Sequence, residues 1–193
     1  MSNYFLNENN LTNRRIFPFI DIGEYILREQ DENDISSFFE YYTDPIVNKY
    51  ILCPPIKDLE EARKELYYWR NLFYNNHGIY FAIADKKNNK MIGSIGFNNY
   101  RPNHQRIELS YDLAFNYWRK GIISNAINNL VKYIFKNWKI NRIEAFVATE
   151  NIASIKLLQK CKFTNEGTLR QHRIHNNRMI DVCVFSLIKM DLG

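Results

Sequence analysis

The chain has 193 residues, 46% of them hydrophobic, a formal net charge of +5 and three widely separated cysteines. This length predicts one compact domain with a sizeable core. No apolar run approaches the roughly 18 residues of a membrane span, and the cysteines form neither a C-x-x-C pair nor a zinc pattern, so we expect no membrane and no metal. The positive charge is spread along the chain, so we do not expect nucleic acid as the main partner, and a polyanionic small ligand explains it equally well.

The N-terminal half contains signals for one strand and two main helices. Residues 1–23 are expected to form a leader, without the basic and apolar regions of a secretory signal, so we expect a cytoplasmic protein. A strand at 23–28 precedes a helix capped by Asp31 or Asn33, then a short helical piece after Asp44-Pro45. Asp58 caps a longer helix, for which Gly78 is the expected left-handed C-cap.

The C-terminal half alternates strands and helices, and residues 24–190 are expected to form a single domain. The patterns predict a hairpin at 80–97, a strand at 107–113, a helix from 122, a strand at 143–148, a helix at 151–160 and closing strands at 163–172 and 179–190, joined by a turn at Asn176-Asn177. The order β-α-α-β-β-β-α-β-α-β-β predicts a mixed α/β sheet with helices on both faces.

The junction between the strand at 107–113 and the following helix carries the strongest functional signal. It reads Trp118-Arg119-Lys120-Gly121, a basic turn that ends in glycine just before the helix. Free backbone N–H groups and the positive end of the helix dipole favour a phosphate or pyrophosphate at such a place.

Four passages in this order resemble the GNAT superfamily of acetyl-CoA-dependent N-acetyltransferases, in particular the ribosomal-protein-alanine N-acetyltransferase subgroup. They are IELSYDL at 107–113, YWRKGI at 117–122, NIAS at 151–154 followed by KCKF at 160–163, and EGTLR at 166–170 ahead of Asp181-Val182. The resemblance covers roughly residues 24–190. It implies the GNAT acyl-CoA N-acyltransferase fold and acetyl-CoA as co-substrate.

The resemblance also implies which residues bind acetyl-CoA. The strand segment Tyr111, Asp112 and Leu113 would lend backbone groups to the pantetheine arm, because that arm carries amides that can extend a sheet edge. The pyrophosphate would be bound by backbone amides of the turn and the helix start, namely Arg119, Lys120, Gly121, Ile122, Ile123 and Ser124.

Three positions depart from the superfamily pattern. Ile123 stands where Gly or Ala is usual, and we expect its bulk near the phosphates to shift the helix or weaken affinity. Arg119 and Lys162 stand where Gly is frequent. Arg119 and Lys120 could contact the phosphates directly, or they could be solvated turn residues.

Acetyl transfer to an amine needs a base, and no cysteine stands out as a covalent nucleophile, so we expect direct attack by the amine. Glu108 is the first candidate for the general base, acting directly or through a water. Alternatively it is a surface residue that pairs with Arg106 or Arg142. The fallback candidates, each more simply explained as solvated or structural, are Glu150, Glu166 and His172.

The leaving thiolate also needs a proton, and Ser154 is the candidate for that end. Many GNAT enzymes place a tyrosine one turn further along this helix, where this chain has Leu158. Asn151 shares the helix face with Ser154 and could hold the pantetheine arm or a water. The simpler reading of Asn151 is a helix cap.

The acceptor is expected to be a primary amine, by resemblance the N-terminal α-amino group of a protein, of the ribosomal-protein type. A small amine (polyamine, amino acid or aminoglycoside) and a non-catalytic protein that binds acyl-CoA remain alternatives. Asp181 is expected to be structural, and monomer and homodimer stay open. The aromatic residues that could belong to the core or line the acceptor entrance are Tyr41, Tyr42, Tyr50 and Trp69.

Overall fold

The sheet is mixed, and its strands are mostly in antiparallel contact. The computed structural model describes residues 16–192, in which eight strands follow the spatial order β1-β2-β3-β4-β5-β6-β8-β7. The strands are β1 Ile20–Asp21, β2 Tyr25–Arg28, β3 Ile79–Asp85, β4 Met91–Arg101, β5 Arg106–Leu113, β6 Arg142–Ala148, β7 Thr164–His175 and β8 Arg178–Ile188. The α-helices are α1 Ile35–Tyr42, α2 Pro45–Asn48, α3 Leu59–Tyr74, α4 Ile122–Asn137 and α5 Ile152–Lys160.

The predicted caps start the helices. Asp31 caps a short 3-10 turn, Glu32–Asp34, that leads into α1, and its carboxylate accepts the N–H of Asn33 at 2.7 Å. Asp58 accepts the N–H of Glu61 at 2.8 Å at the start of α3. These side chains satisfy N–H groups that the first helical turn leaves unbonded, which is why the sequence predicted both helix starts.

Gly78 is not the C-cap of α3, so that prediction was wrong. The chain leaves the helix through Asn75, and it is Asn76 that adopts the left-handed conformation, with φ of 57°. A Cβ at Gly78 would lie 2.2 Å from the carbonyl oxygen of Phe97. The glycine therefore permits a close approach of β4, which local sequence signals do not report.

The sheet begins earlier than predicted, and its closing turn lies where it was predicted. Residues 1–15 of the predicted leader lie outside the described residues, whereas Ile20–Asp21 already pairs with β2. The closing hairpin turns at Asn176 and Asn177, as predicted, and both have positive φ, 48° and 59°. This is the backbone of a two-residue hairpin turn, which asparagine tolerates.

Two apolar clusters hold helices on opposite faces of the sheet. The larger packs α4 and α5 against one face, with Ile127, Leu130 and Ile134 at 0% exposure. The smaller packs α1 and α3 against the other face and is rich in aromatic rings, including Phe38 and Trp69 at a centroid distance of 5.1 Å. The predicted mixed α/β sheet with helices on both faces is confirmed.

Strands β5 and β6 are parallel neighbours that pair only at their beginnings. The pairing ends at Glu108 opposite Glu144. Beyond that point β5 continues along β4 to Leu113, and β6 continues along β8 to Ala148. The two strands therefore part, and their facing edges carry backbone groups without a partner strand.

Candidate active site

The N-terminus of α4 follows the end of β5 through an exposed turn. Gly121 has φ of 75°, and the first backbone hydrogen bond of the helix runs from the N–H of Asn125 to the Gly121 carbonyl at 3.0 Å. The N–H groups of the first helical turn have no acceptor within the helix. The turn residues Arg119, Lys120 and Gly121 are exposed. This end of the helix can bind an anion through backbone donors and the helix dipole.

The bulk of Ile123 lies in the core. Its side chain is 8% exposed and belongs to the apolar cluster under α4, together with Ile122. Ser124 donates its hydroxyl hydrogen bond to the Gly121 carbonyl at 2.8 Å. The expectation that Ile123 places its bulk toward the phosphates is therefore not met, because the helix turns that side chain inward.

Two of the departures from the family pattern fall where the backbone is left-handed. Arg119 has φ of 61° and Lys162 has φ of 66°. Glycine adopts this conformation without strain, which explains the family preference for Gly at both positions. Lys120 lies with its ammonium 5.0 Å from the centre of the Tyr117 ring, so its charge stays beside the turn.

The free edge of β5 faces the gap. On its other edge Tyr111, Asp112 and Leu113 are paired with Ile95, Ser94 and Gly93 of β4. The edge turned toward β6 has lost its partner strand beyond Glu108. An extended chain with amide groups can hydrogen-bond to such an edge.

Tyr111 and Ser154 form a hydroxyl pair on the face that carries α4 and α5. Their oxygens are 2.6 Å apart, and burial raises the pKa of the Tyr111 phenol. Asn151 accepts the N–H of Ser154 at 3.1 Å, so its side chain caps α5. Leu158 is fully buried. The sequence predicts only a backbone role for Tyr111. The contact of its hydroxyl could not be predicted, because the partner lies 43 positions later in the chain.

Asp112 points to the opposite face, toward α1. Its carboxylate accepts hydrogen bonds from the Ser94 hydroxyl at 2.7 Å, the Ser94 N–H at 3.1 Å and the Tyr41 hydroxyl at 2.8 Å. Burial raises the pKa of this carboxyl to about 6, against the effect of these donors. This side-chain network was not foreseen, since a polar residue in an alternating strand gave no sign of partners so far away in the chain.

The aromatic residues whose role the sequence left open are mostly core. Tyr41, Tyr42 and Trp69 are 6%, 3% and 6% exposed and pack together between α1 and α3. Tyr50 is half-buried, and the ammonium of Lys49 lies 5.0 Å from its ring centre.

Glu108 lies on the same face as Asp112, where β5 and β6 begin to part. Its side chain is 16% exposed, and its carboxylate accepts a hydrogen bond from the Asn99 amide at 2.8 Å. Arg173 of β7 is 3.5 Å away. The alternative pairing with Arg106 or Arg142 is not found.

Those two arginines instead bind Glu144, at 2.6 Å and 2.9 Å. A cavity of about 240 Å³ lies beside Arg106 and Glu144. Its lining is mainly polar and consists of Asn99, Arg101, Arg106, Glu108, Glu144, Phe146, His172 and Arg173.

The fallback candidates differ in how far they are free to react. Glu166 is bound by the guanidinium of Arg142 and by the Ser186 hydroxyl, and these contacts lower its pKa to about 2. Glu150 is exposed. His172 stacks on Phe146 with ring centres 5.7 Å apart and lines the cavity.

Asp181 and two of the three cysteines have structural surroundings, whereas Cys53 is exposed. The Asp181 carboxylate accepts the N–H of Gln171 at 2.8 Å, which holds a left-handed bend in β7. Cys161 and Cys183 are buried, and burial raises the pKa of the Cys161 thiol. In residues 16–192 no group of three or more His, Cys, Asp or Glu is placed to hold a metal ion. Over the same residues, no helix is both long and apolar enough to cross a membrane.

Comparison with known proteins identifies the family in which this arrangement of strands and helix is found. The family model described as Acetyltransferase (GNAT) domain matches residues 25–164. The chain belongs to this GNAT family. It is an acetyl-CoA-dependent N-acetyltransferase.

Relatives of this acetyltransferase include an uncharacterized N-acetyltransferase, p20, of Bacillus licheniformis. The two are 38% identical over 165 residues, which is 86% of this chain and 93% of p20. Among solved structures, the ribosomal L7/L12 α-N-protein acetyltransferase RimL in complex with coenzyme A has a TM-score of 0.82 and 22% identity, covering 89% of this chain and 98% of the other. Spermidine N-acetyltransferase from Vibrio cholerae, with coenzyme A and spermine, has a TM-score of 0.75 and 23% identity, covering 86% and 96%.

Proposed function

We propose that this N-acetyltransferase transfers an acetyl group from acetyl-CoA to the N-terminal α-amino group of a protein, by direct attack of the amine in a ternary complex. The observation that carries the proposal is the parting of β5 and β6 after Glu108 and Glu144, beside the open N-terminus of α4. One gap then gives access to an anion site and, across the sheet, to a polar cavity with a carboxylate.

Residues on the α4 side bind the nucleotide thioester. Acetyl-CoA supplies the activated acetyl group and departs as the free thiol. The backbone N–H groups from Arg119 to Ser124 bind its pyrophosphate, and the free edge of Tyr111–Leu113 bonds the amides of its pantetheine arm. Neither interaction needs a particular side chain at the contact, so Ile123 can be buried without blocking the site.

Glu108 acts on the acceptor side as the general base. It lies at the last position where β5 pairs with β6, where the gap begins, and the Asn99 amide donates a hydrogen bond to one of its carboxylate oxygens. The other oxygen can accept a proton from the amine directly or through a water. His172, in the same cavity, is the second candidate for this role.

Ser154 acts on the leaving group. The phenol of Tyr111 keeps its proton at neutral pH because burial raises its pKa. It can therefore donate to the Ser154 oxygen, which leaves the serine O–H free to turn toward the sulfur. The pair takes the place of the tyrosine that the family often has at the position of Leu158.

The acceptor is chosen by the charge of the cavity. This fold occurs with both protein N-termini and spermidine as acceptors, so the likeness alone does not discriminate between them. The cavity lining carries three arginines and two glutamates, an excess of positive charge. A polyamine would add several positive charges there, whereas an α-amino group adds one that is lost before reaction.

A thiol-release assay tests the proposal. The purified protein is mixed with acetyl-CoA and, separately, with peptides that have free or blocked N-termini, spermidine, single amino acids and an aminoglycoside, and mass spectrometry locates the acetyl group. Release with free peptide N-termini and not with blocked ones is the expected result. Calorimetric binding of coenzyme A without release in any mixture would favour the non-catalytic acyl-CoA-binding alternative.

A further inference from the structure

Arg173 is a cation in the cavity with an unmet hydrogen-bonding group. Its Nε is buried and has no hydrogen-bond partner among the described residues. Within residues 16–192 its one ion pair is with Glu108 and is long at 3.5 Å, and its guanidinium lies 5.8 Å from the centre of the Phe146 ring. A buried donor without an acceptor is costly, and a group that provides the acceptor gains accordingly.

The other charges of the cavity do not meet this need. Glu144 is bound by Arg106 at 2.6 Å and by Arg142 at 2.9 Å, so its charge is already compensated. Glu108 is shared between Asn99 and Arg173. The lining therefore places a guanidinium with unused N–H donors next to one carboxylate. The guanidinium can bind an anionic group of a ligand, and the carboxylate can bind a cationic group.

We infer that the preferred acceptor is an N-terminal peptide with an acidic side chain at its second or third residue, whose carboxylate is bound by Arg173 while its α-amine lies at Glu108. The inference rests on the proposed function and adds the class of sequence that is acetylated. A carboxylate fits the planar fork of a guanidinium. The Arg173 side chain is 39% exposed while its Nε is buried, so the carboxylate first meets the Nη groups, and it can accept from Nε and one Nη together once the guanidinium moves away from Glu108.

Binding of such an acceptor would also aid the reaction. When the substrate carboxylate binds Arg173, the arginine is drawn from its long contact with Glu108, and Glu108 is left to the amine. A basic residue at the same peptide position would be repelled by Arg173, in a lining that carries more arginines than glutamates.

The test is a cycle between enzyme and peptide. Hexapeptides with N-terminal alanine carry Asp, Asn or Lys at the second position or, in a second series, at the third, and kcat/KM is measured for each with the native enzyme and with Arg173→Gln and Arg173→Lys. We expect the native enzyme to prefer Asp over Asn by about tenfold in one series. Arg173→Gln should bring that ratio close to one, and Arg173→Lys should keep only part of it. Arg178→Gln, an exposed residue of the same hairpin, is the matched control and should keep the native ratio.

The ratio separates recognition from general damage. A variant that merely disturbs Glu108 lowers kcat/KM for all peptides and leaves the Asp-to-Asn ratio unchanged, which would overturn the inference. Equal rates for Asp, Asn and Lys peptides in both series, or spermidine as the best acceptor, would also overturn it. Transfer to peptides without an acidic preference leaves the proposed function standing, whereas absence of transfer to every peptide N-terminus removes the proposed function itself.

Discussion

Strand β5 has two sides that are built in different ways. On the side of α4 and α5, the strand, the turn and the helix that follow one another in the chain form the proposed anion site, and the Tyr111–Ser154 pair lies on the same side of the sheet. On the side of α1 and α3, Glu108 and Asp112 meet residues from several distant elements, among them Tyr41, 71 positions before Asp112.

The difference separates what the two sides contribute. The proposed contacts to acetyl-CoA on the α4 side are largely made by backbone groups, and they are made to the part of acetyl-CoA that is the same in every reaction of the family. The α1 side is made of charged and polar side chains, which can change one by one without altering the sheet. We therefore place recognition of the acceptor on the second side, and the following variants test that division.

The largest effect is expected for Glu108→Gln. Loss of a general base lowers kcat by about a hundredfold, whereas affinity for coenzyme A should stay the same because the change lies on the acceptor side. Steady-state kinetics with a good acceptor and calorimetry with coenzyme A measure both. Glu24→Gln, at an exposed glutamate outside the cavity lining, serves as the control. A native kcat in Glu108→Gln would show that another group, His172 first, is the base.

Gly121→Val probes the α4 side. The residue is left-handed at φ of 75°, so a β-branched side chain strains the turn and keeps the phosphates from the backbone. The Kd for coenzyme A should rise about thirtyfold in calorimetry. Gly23→Val is the matched control, because Gly23 also has positive φ, 93°, and open space around it. Equal Kd values in a folded Gly121→Val protein would contradict the proposed pyrophosphate site.

Asp112→Asn tests the buried network through pH. The folded-state pKa of about 6 lies above the ordinary value of 3.8, so the folded protein binds this proton more tightly than the unfolded chain. The stability from this group is complete below about pH 4 and is lost as pH rises through about 6. Relative to the native protein, the variant should therefore gain about 2 kcal/mol in free energy of unfolding between pH 4 and pH 7, measured with urea.

An exposed aspartate provides the control for this measurement. Lys86 lowers the pKa of Asp21, so Asp21→Asn should change in the opposite direction, losing stability relative to the native protein as pH rises. If the difference in free energy of unfolding between Asp112→Asn and the native protein is the same at all pH values, the Asp112 carboxyl does not titrate in this range.

Ser154→Ala and Tyr111→Phe are expected to have the smallest effects. Each should lower kcat about tenfold and leave the Kd for coenzyme A unchanged, because the pair acts on the leaving group. The double variant should be no slower than the slower single one, since the two hydroxyls work as a unit. Tyr67→Phe, on the exposed side of α3, controls for loss of a phenol. If the loss of kcat in the double variant equals the product of the two single losses, the two hydroxyls act independently and not as a unit.

Much of the fold could be predicted because its signals are local. The caps at Asp31, Asp58 and Asn151 and the Asn176-Asn177 turn each satisfy backbone groups within a few residues, so the pattern and the structure agree. Gly78 failed for the opposite reason. Its requirement comes from the Phe97 carbonyl on a neighbouring strand.

The order of elements from β2 onward, the apolar faces and the glycine turn before α4 follow from the amino-acid sequence, because each depends on periodicity or on a single backbone conformation. Which side chains meet depends on the three-dimensional packing. It joined Tyr111 to Ser154, Asp112 to Tyr41 and Glu108 to Arg173. Partners so far apart in the chain are set by sheet order and helix packing, so the chemistry of the acceptor side follows from the fold.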